Sequence, residues 1–340
     1  MRKQTEFTLI LLIICSVFTG CSSDEELRQR AEAKRDAYAV QSLTRVGDAI
    51  TRLNQHLLGG NVRNAKLLKQ YAKEVKAIKP EMAELVDLLT LDSTSEGPLF
   101  NSLVQRFEDA KDTKQFVIKG DDNDLVVFDD ELTAIYNAAS PVAYGHMLTD
   151  PINVLADMSD GRLGRVEAMS KEASLAKNGS EDLGVGSQMV GNPNYGRWEN
   201  RSNGTSFWAF YGQYRLLGDL MGRRVDYGHW SRHRDYSYYN DRGRANYTSP
   251  SQRTTQVKTE NIAKKKFSRE GKKFNSPYAK SKASSNSPPP RSVTKAPSKF
   301  QSSFSKRNST SSSNRTSNTS SSTYNSRNMG STSRSSRGGK

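Results

Sequence analysis

The chain has 340 residues, enough for two ordinary domains, with a net charge of +15 and two cysteines. So few cysteines exclude a small scaffold stapled by disulfides. The charge is uneven: residues 241–340 carry 22 Lys and Arg against 3 Asp and Glu, a net +19, which leaves −4 for residues 1–240. The basic character therefore belongs to the C-terminal region and not to the whole chain.

At the N-terminus, Arg2 and Lys3 precede an apolar run, residues 8–18, which ends at Thr19-Gly20-Cys21 before the chain turns polar at Ser22-Ser23. The run falls short of the roughly 17–25 residues that a membrane-spanning helix needs. Its positive, then apolar, then small pattern is that of a secretory signal peptide. Thr19-Gly20-Cys21 resembles the lipobox of bacterial lipoproteins. The resemblance implies that residues 1–20 are removed as signal peptide, that Cys21 is acylated, and that residues 21–24 tether the protein to a membrane. Asp directly after the cysteine marks inner-membrane retention in that family, so Ser22 and Ser23 imply the outer membrane in a Gram-negative cell. Cysteine arithmetic agrees, because Cys15 leaves with the signal and Cys21 has no intramolecular partner. An ordinary cleaved signal, with Cys21 incidental, is the alternative.

Residues 25–112 read as a small helical bundle. A first helix over 24–58 opens with Asp24, Glu25 and Glu26, favourable against the helix dipole, and carries Leu43, Val46, Ile50, Leu53 and Leu57 on one face. Gly59-Gly60 ends it, and Asn61 is the expected cap of a second, antiparallel helix carrying Val62, Ala65, Leu68, Ala72 and Val75. Pro80 opens a third helix and Pro98 a fourth, to about residue 111. No heptad pattern runs long enough to demand a coiled coil.

Residues 113–190 read as mixed and mostly helical. The acidic cluster Asp121, Asp122, Asn123 and Asp124 lacks the glycine of a calcium loop and reads as a solvated turn. Residues 125–128 are the expected strand. Asp129 or Asp130 is the expected cap of a helix through Leu132 and Ile135, which Pro141 ends, and residues 151–158 form another short helix.

Residues 191–250 form an aromatic, Gly- and Tyr-rich segment. A helix over 207–221 is expected, and its side chains Phe207, Trp208, Phe210, Tyr211 and Tyr214 make it apolar nearly all round. Three roles fit such a helix: docking onto the bundle, binding a protein partner, or lying in a membrane interface. His229 and His233 stand four apart, the spacing that puts two zinc ligands on one helix face, and Asp226 and Asp235 are candidates to complete the site. The flanks read as non-helical, and no HExxH pattern is present, so an exposed Tyr/Arg-rich segment is the plainer reading.

Residues 251–340 read as a disordered basic tail. Residues 281–340 alone contain 22 Ser, and isolated Phe300, Phe304 and Tyr324 cannot bury enough surface to offset backbone entropy. Lys264, Lys265, Lys266, Arg269, Lys272 and Lys273 are the expected contacts to anionic polymers.

The expected fold class is therefore mainly α: a small bundle or hairpin, an aromatic/Gly-rich segment and a disordered C-terminal tail. Phosphate loops of the Walker or dinucleotide type and the Gly-x-Ser-x-Gly elbow are absent, and no cofactor is expected. The leading expectation is a non-enzymatic, lipid-anchored envelope protein whose tail binds lipid headgroups, lipopolysaccharide, acidic glycans or nucleic acid. The alternatives are an extracellular nucleic-acid binder and a metal-dependent enzyme acting on cell wall or polysaccharide. The layout also resembles bacterial lipoproteins with a low-complexity basic tail, a likeness that implies no activity.

Overall fold

A computed structural model describes residues 24–168, 170–276 and 278. Residues 1–23, Cys21 and the expected signal peptide among them, and residues 279–340 lie outside the described residues. The described chain is mainly α-helical, as expected. Among these residues no helix is long and apolar enough to cross a membrane.

Helix α1 (Asp24–Leu58) buries Val46, Ala49, Ile50, Leu53 and Leu57, the stripe its sequence draws. It packs on α4 (Pro98–Lys119) and α5 (Asp122–Ala138), which also pack on each other. A second group joins α2 (Ala65–Ile78), α3 (Ala83–Thr90) and α7 (Thr149–Met158). Between the groups runs α6 (Pro141–Met147), which touches α5 and α7, and α8 (Lys171–Asn178) follows in the chain. The expected α1–α2 hairpin is thus replaced: α2 leaves the glycine turn to pack on α3 and α7. The loop that diverts it is pinned to α6. Asn64 adopts φ 71° and precedes α2 without capping it, while its Nδ2 donates to the Gly145 carbonyl at 2.8 Å. A Cβ on Gly145 would stand 2.7 Å from the Arg63 carbonyl oxygen, so only glycine admits this approach.

Three expectations in the middle of the chain are corrected. Helix α4 runs on to Lys119, so no boundary falls at 112. Residues 125–128 are helix and not strand, and neither Asp129 nor Asp130 is the cap. Asp121 caps α5 instead, accepting from the backbone N–H groups of Asn123 and Asp124, and the Asp124 side chain reaches back to the Asp121 N–H. The acidic cluster is a capping box. Leu125, Phe128, Leu132 and Ile135 then form a helical stripe that a four-residue apolar run could not reveal.

The aromatic segment folds differently from its expected helix. Strands β1 (Gly196–Asn200) and β2 (Ser206–Phe210) pair antiparallel, with Trp198 opposite Trp208. Asn203-Gly204 supplies the turn, with Gly204 at φ 72°. A helix survives only in α9 (Arg215–Leu220). Bulky aromatic side chains suit a pleated, half-buried surface, and here that preference prevails over the helical spacing. Trp198, Trp208, Met221, Val225, Tyr227 and Trp230 form a second core beside the helical one.

The C-terminal region is ordered further than its composition suggests. After α10 (Tyr227–His233) and α11 (Arg244–Tyr247), α12 (Pro250–Arg269) packs on α10 and on both strands. Ser249 and Gln252 make its capping box and Pro250 takes the first turn. Its buried face is Gln256, Thr259, Ala263 and Phe267, a stripe half of which is polar. A tail beginning at 251 is therefore corrected: residues 250–269 are helix.

Candidate functional site

Two features of the C-terminal third carry the chemistry that the sequence singles out. One is the solvent face of α12. With 3.6 residues per turn, Lys258, Lys265 and Arg269 fall within about 20° of one line along the helix, spread over about 16 Å. All three are exposed, and none has an ion-pair partner among the described residues. Their neighbours are partly neutralised. Lys264 pairs with Glu260 at 2.9 Å, and Glu270 takes Lys272 at 2.9 Å and Lys266 at 4.0 Å. Of the six residues expected to touch polyanions, Lys265, Arg269 and Lys273 therefore keep unpaired charge, and Lys258 joins them. Sequence reading missed Lys258 because it stands seven residues from the nearest member of that stripe, outside the visible charge cluster. Helical periodicity over 250–269 could have found it.

The second feature is a cluster of Glu181, His229 and His233. Helix α10 buries Tyr227, Trp230 and Ser231 against the aromatic core, which turns His229 and His233 together toward its outer face. Their ring centroids are 4.6 Å apart, tilted by 37°. The Glu181 carboxylate meets both: Oε2 lies 2.9 Å from His229 Nε2 and Oε1 lies 3.6 Å from His233 Nδ1. The Glu181 backbone N–H donates to the His233 carbonyl at 2.8 Å, fastening the loop to the end of α10. Arg223 stands 3.4 Å from the same carboxylate. Desolvation pushes the Glu181 carboxyl up, but the neighbouring imidazoles and Arg223 together outweigh it and hold the group below its ordinary range. The three side chains are half-exposed.

No family model, curated protein or solved structure matches this chain.

The remaining expected site residues are dispersed. Asp226 and Asp235 do not join the histidines. Asp226 pairs with Arg201 at 2.9 Å, and Asp235 is buried against Arg165 and Ser174. Glu181 takes their place, from 48 residues upstream of His229. No local spacing could connect it to the pair. Of the aromatic residues, Tyr214 is fully buried in the helical core and Trp208 in the aromatic core, so neither faces a partner or a membrane. Phe207 lies under the guanidinium groups of Arg201 and Arg224, at 4.7 and 5.3 Å. Tyr211 alone of the five is exposed. His146 is half-buried, 2.6 Å from Glu167 and stacked on Tyr238.

Beside Arg223 opens a cavity of about 210 Å³ lined by Trp208, Phe210, Met221, Arg215, Arg223 and Arg224. Asp219 lines it as well, opposite in charge to the three arginines.

Proposed function

We propose that the protein is a lipid-anchored, non-enzymatic component of the cell envelope that holds anionic polymers through its basic C-terminal region. The observation that carries this reading is the line of Lys258, Lys265 and Arg269 on α12, three exposed cations in register, none of them ion-paired among the described residues. The charge of residues 241–340 supports it, since 22 Lys and Arg there far outnumber the 3 Asp and Glu and leave a net +19. The lipobox-like Thr19-Gly20-Cys21 supports an envelope address and an outer-membrane anchor. Two or more acyl chains hold a protein firmly at a bilayer, which a single chain does not.

Capture of this kind is driven by release of counterions from the polymer and weakens steeply with salt. The test uses duplex DNA as a calibrated polyanion and reads affinity against salt concentration. Neutralising Lys258, Lys265 and Arg269 to Gln is expected to flatten the log–log slope by about 3, one for each cation removed. Removal of residues 279–340 is expected to flatten it further. An unchanged slope in both variants would falsify the reading.

A further inference from the structure

We propose that Glu181, His229 and His233 bind one late first-row divalent cation, zinc foremost, with a fourth coordination position open to solvent. The site is independent of the basic line on α12.

Lone pairs decide what this cluster can hold. A neutral imidazole has one ring nitrogen with a lone pair, and a carboxylate has only lone pairs to offer. All three groups converge, with one candidate ligand atom from each lying within 4.8 Å of the others. Such a convergence is satisfied by shared protons or by a cation. Tetrahedral zinc, at about 2.0–2.2 Å from N and O ligands, sets its donor atoms about 3.3 Å apart. Two separations lie near that value: 2.9 Å from His229 Nε2 to Glu181 Oε2, and 3.6 Å from His233 Nδ1 to the other oxygen, Oε1, of the same carboxylate. The set with one atom from each residue lies within 4.8 Å, so side-chain shifts of up to about 1.5 Å close it on an ion.

The donor set selects the metal. Two imidazoles favour zinc, copper, nickel and iron over magnesium and calcium, which prefer all-oxygen shells. Two histidines with one carboxylate and an open position is also the ligand count of zinc sites that bind water or substrate. The half-exposure of all three side chains leaves that position to solvent.

The fold holds the ligands before any ion arrives. Trp230 and Tyr227, buried on the opposite face of α10, fix the helix, and the main-chain bond from Glu181 to His233 fixes the loop. His233 Nδ1 lies 3.1 Å from the His229 carbonyl. A ring that keeps its proton there presents Nε2 to the ion, and one that moves it to Nε2 presents Nδ1. Arg223, 3.4 Å from Glu181, opposes a cation. It is also placed to steady an anionic fourth ligand.

The full-length protein in detergent, stripped with chelator, is titrated with zinc chloride by calorimetry, and cobalt(II) is followed by its visible absorption. One ion per chain is expected, with the intense bands of four-coordinate cobalt. His229→Ala and His233→Ala are each expected to weaken zinc at least ten-fold. Glu181→Gln, which keeps the side chain's shape and one accepting oxygen but not its charge, is expected to do the same in a protein whose melting curve is little changed. Arg223→Gln is expected to tighten binding several-fold, which a merely structural role for Arg223 would not produce. Replacement of the exposed histidine in the last turn of α1, His56→Ala, is expected to leave it unchanged. Absence of saturable binding, or equal binding by a His229→Ala/His233→Ala double variant, overturns the proposal.

Discussion

The buried carboxyl of Asp92 shows how one residue can set a pH response. Asp92 is fully buried, with the Tyr195 hydroxyl at 2.5 Å on one oxygen and the Leu99 backbone N–H at 3.1 Å on the other. Burial pushes its carboxyl up from 3.8 to about 7, although both hydrogen bonds pull the other way. The folded chain therefore keeps a proton that the unfolded chain gives up. Its contribution is fully present below about pH 4 and is lost as pH rises toward 7, because the unfolded state is then the weaker proton binder. Asp150, raised to about 7 for the same cause, acts in the same direction while accepting the backbone N–H groups of Tyr238 and Tyr239. Asparagine at position 92 resembles the protonated acid in shape and bonding. Asp92→Asn is expected to reduce the decline of stability between pH 4 and 7 relative to the parent, read as urea midpoints across that range. Equal declines in both proteins would exclude a titrating Asp92.

At the scale of elements, α12 is where composition and structure part most clearly, and the helix makes a specific demand. Phe267 is buried at its last turn, edge-on to Phe274 at 5.3 Å and beneath the Arg232 guanidinium. Phe267→Ala is expected to cost about 3 kcal/mol, whereas Ser249→Ala, which removes a cap at the other end, costs about 1 kcal/mol. Protease cleavage within 250–278 is expected to accelerate in the first variant more than in the second. Helices α1 to α4 were legible because Leu, Val and Ile recur at helical spacing and Gly or Pro marks the ends. Two of the elements missed, α10 and α12, share a cause: their buried faces are poor in aliphatic residues. The α12 stripe includes Gln256 and Thr259, and α10 buries Tyr227, Trp230 and Ser231. The His229–His233 spacing was visible, but the helix that makes it meaningful was not. Glu181 joins them only through tertiary packing.

At the scale of the molecule, charged side chains buried between segments bind the aromatic core to the helical one. Arg106 of α4 holds Glu131 of α5 with two bonds, at 2.6 and 3.0 Å, and donates a third to the Asn246 carbonyl of α11, inside the aromatic segment. Arg165 joins Asp157 of α7 to Asp235. Arg234 and Asp241, both fully buried, pair at 2.7 Å in the intervening turn. Such pairs add little net stability compared with apolar packing, but removing one partner strands a charge in the interior. They couple the two cores, so the cores should melt together. The three tryptophans, Trp198, Trp208 and Trp230, all lie in the aromatic core, while helical circular dichroism is dominated by the bundle. Tryptophan fluorescence and far-ultraviolet dichroism are therefore expected to report one coincident urea transition. Arg106→Ala is expected to lower stability by about 3–5 kcal/mol, and adding Glu131→Ala to restore part of that loss, since the stranded carboxylate goes with it. Two separated transitions in the parent protein would mean that the cores fold independently and that the buried pairs do not couple them.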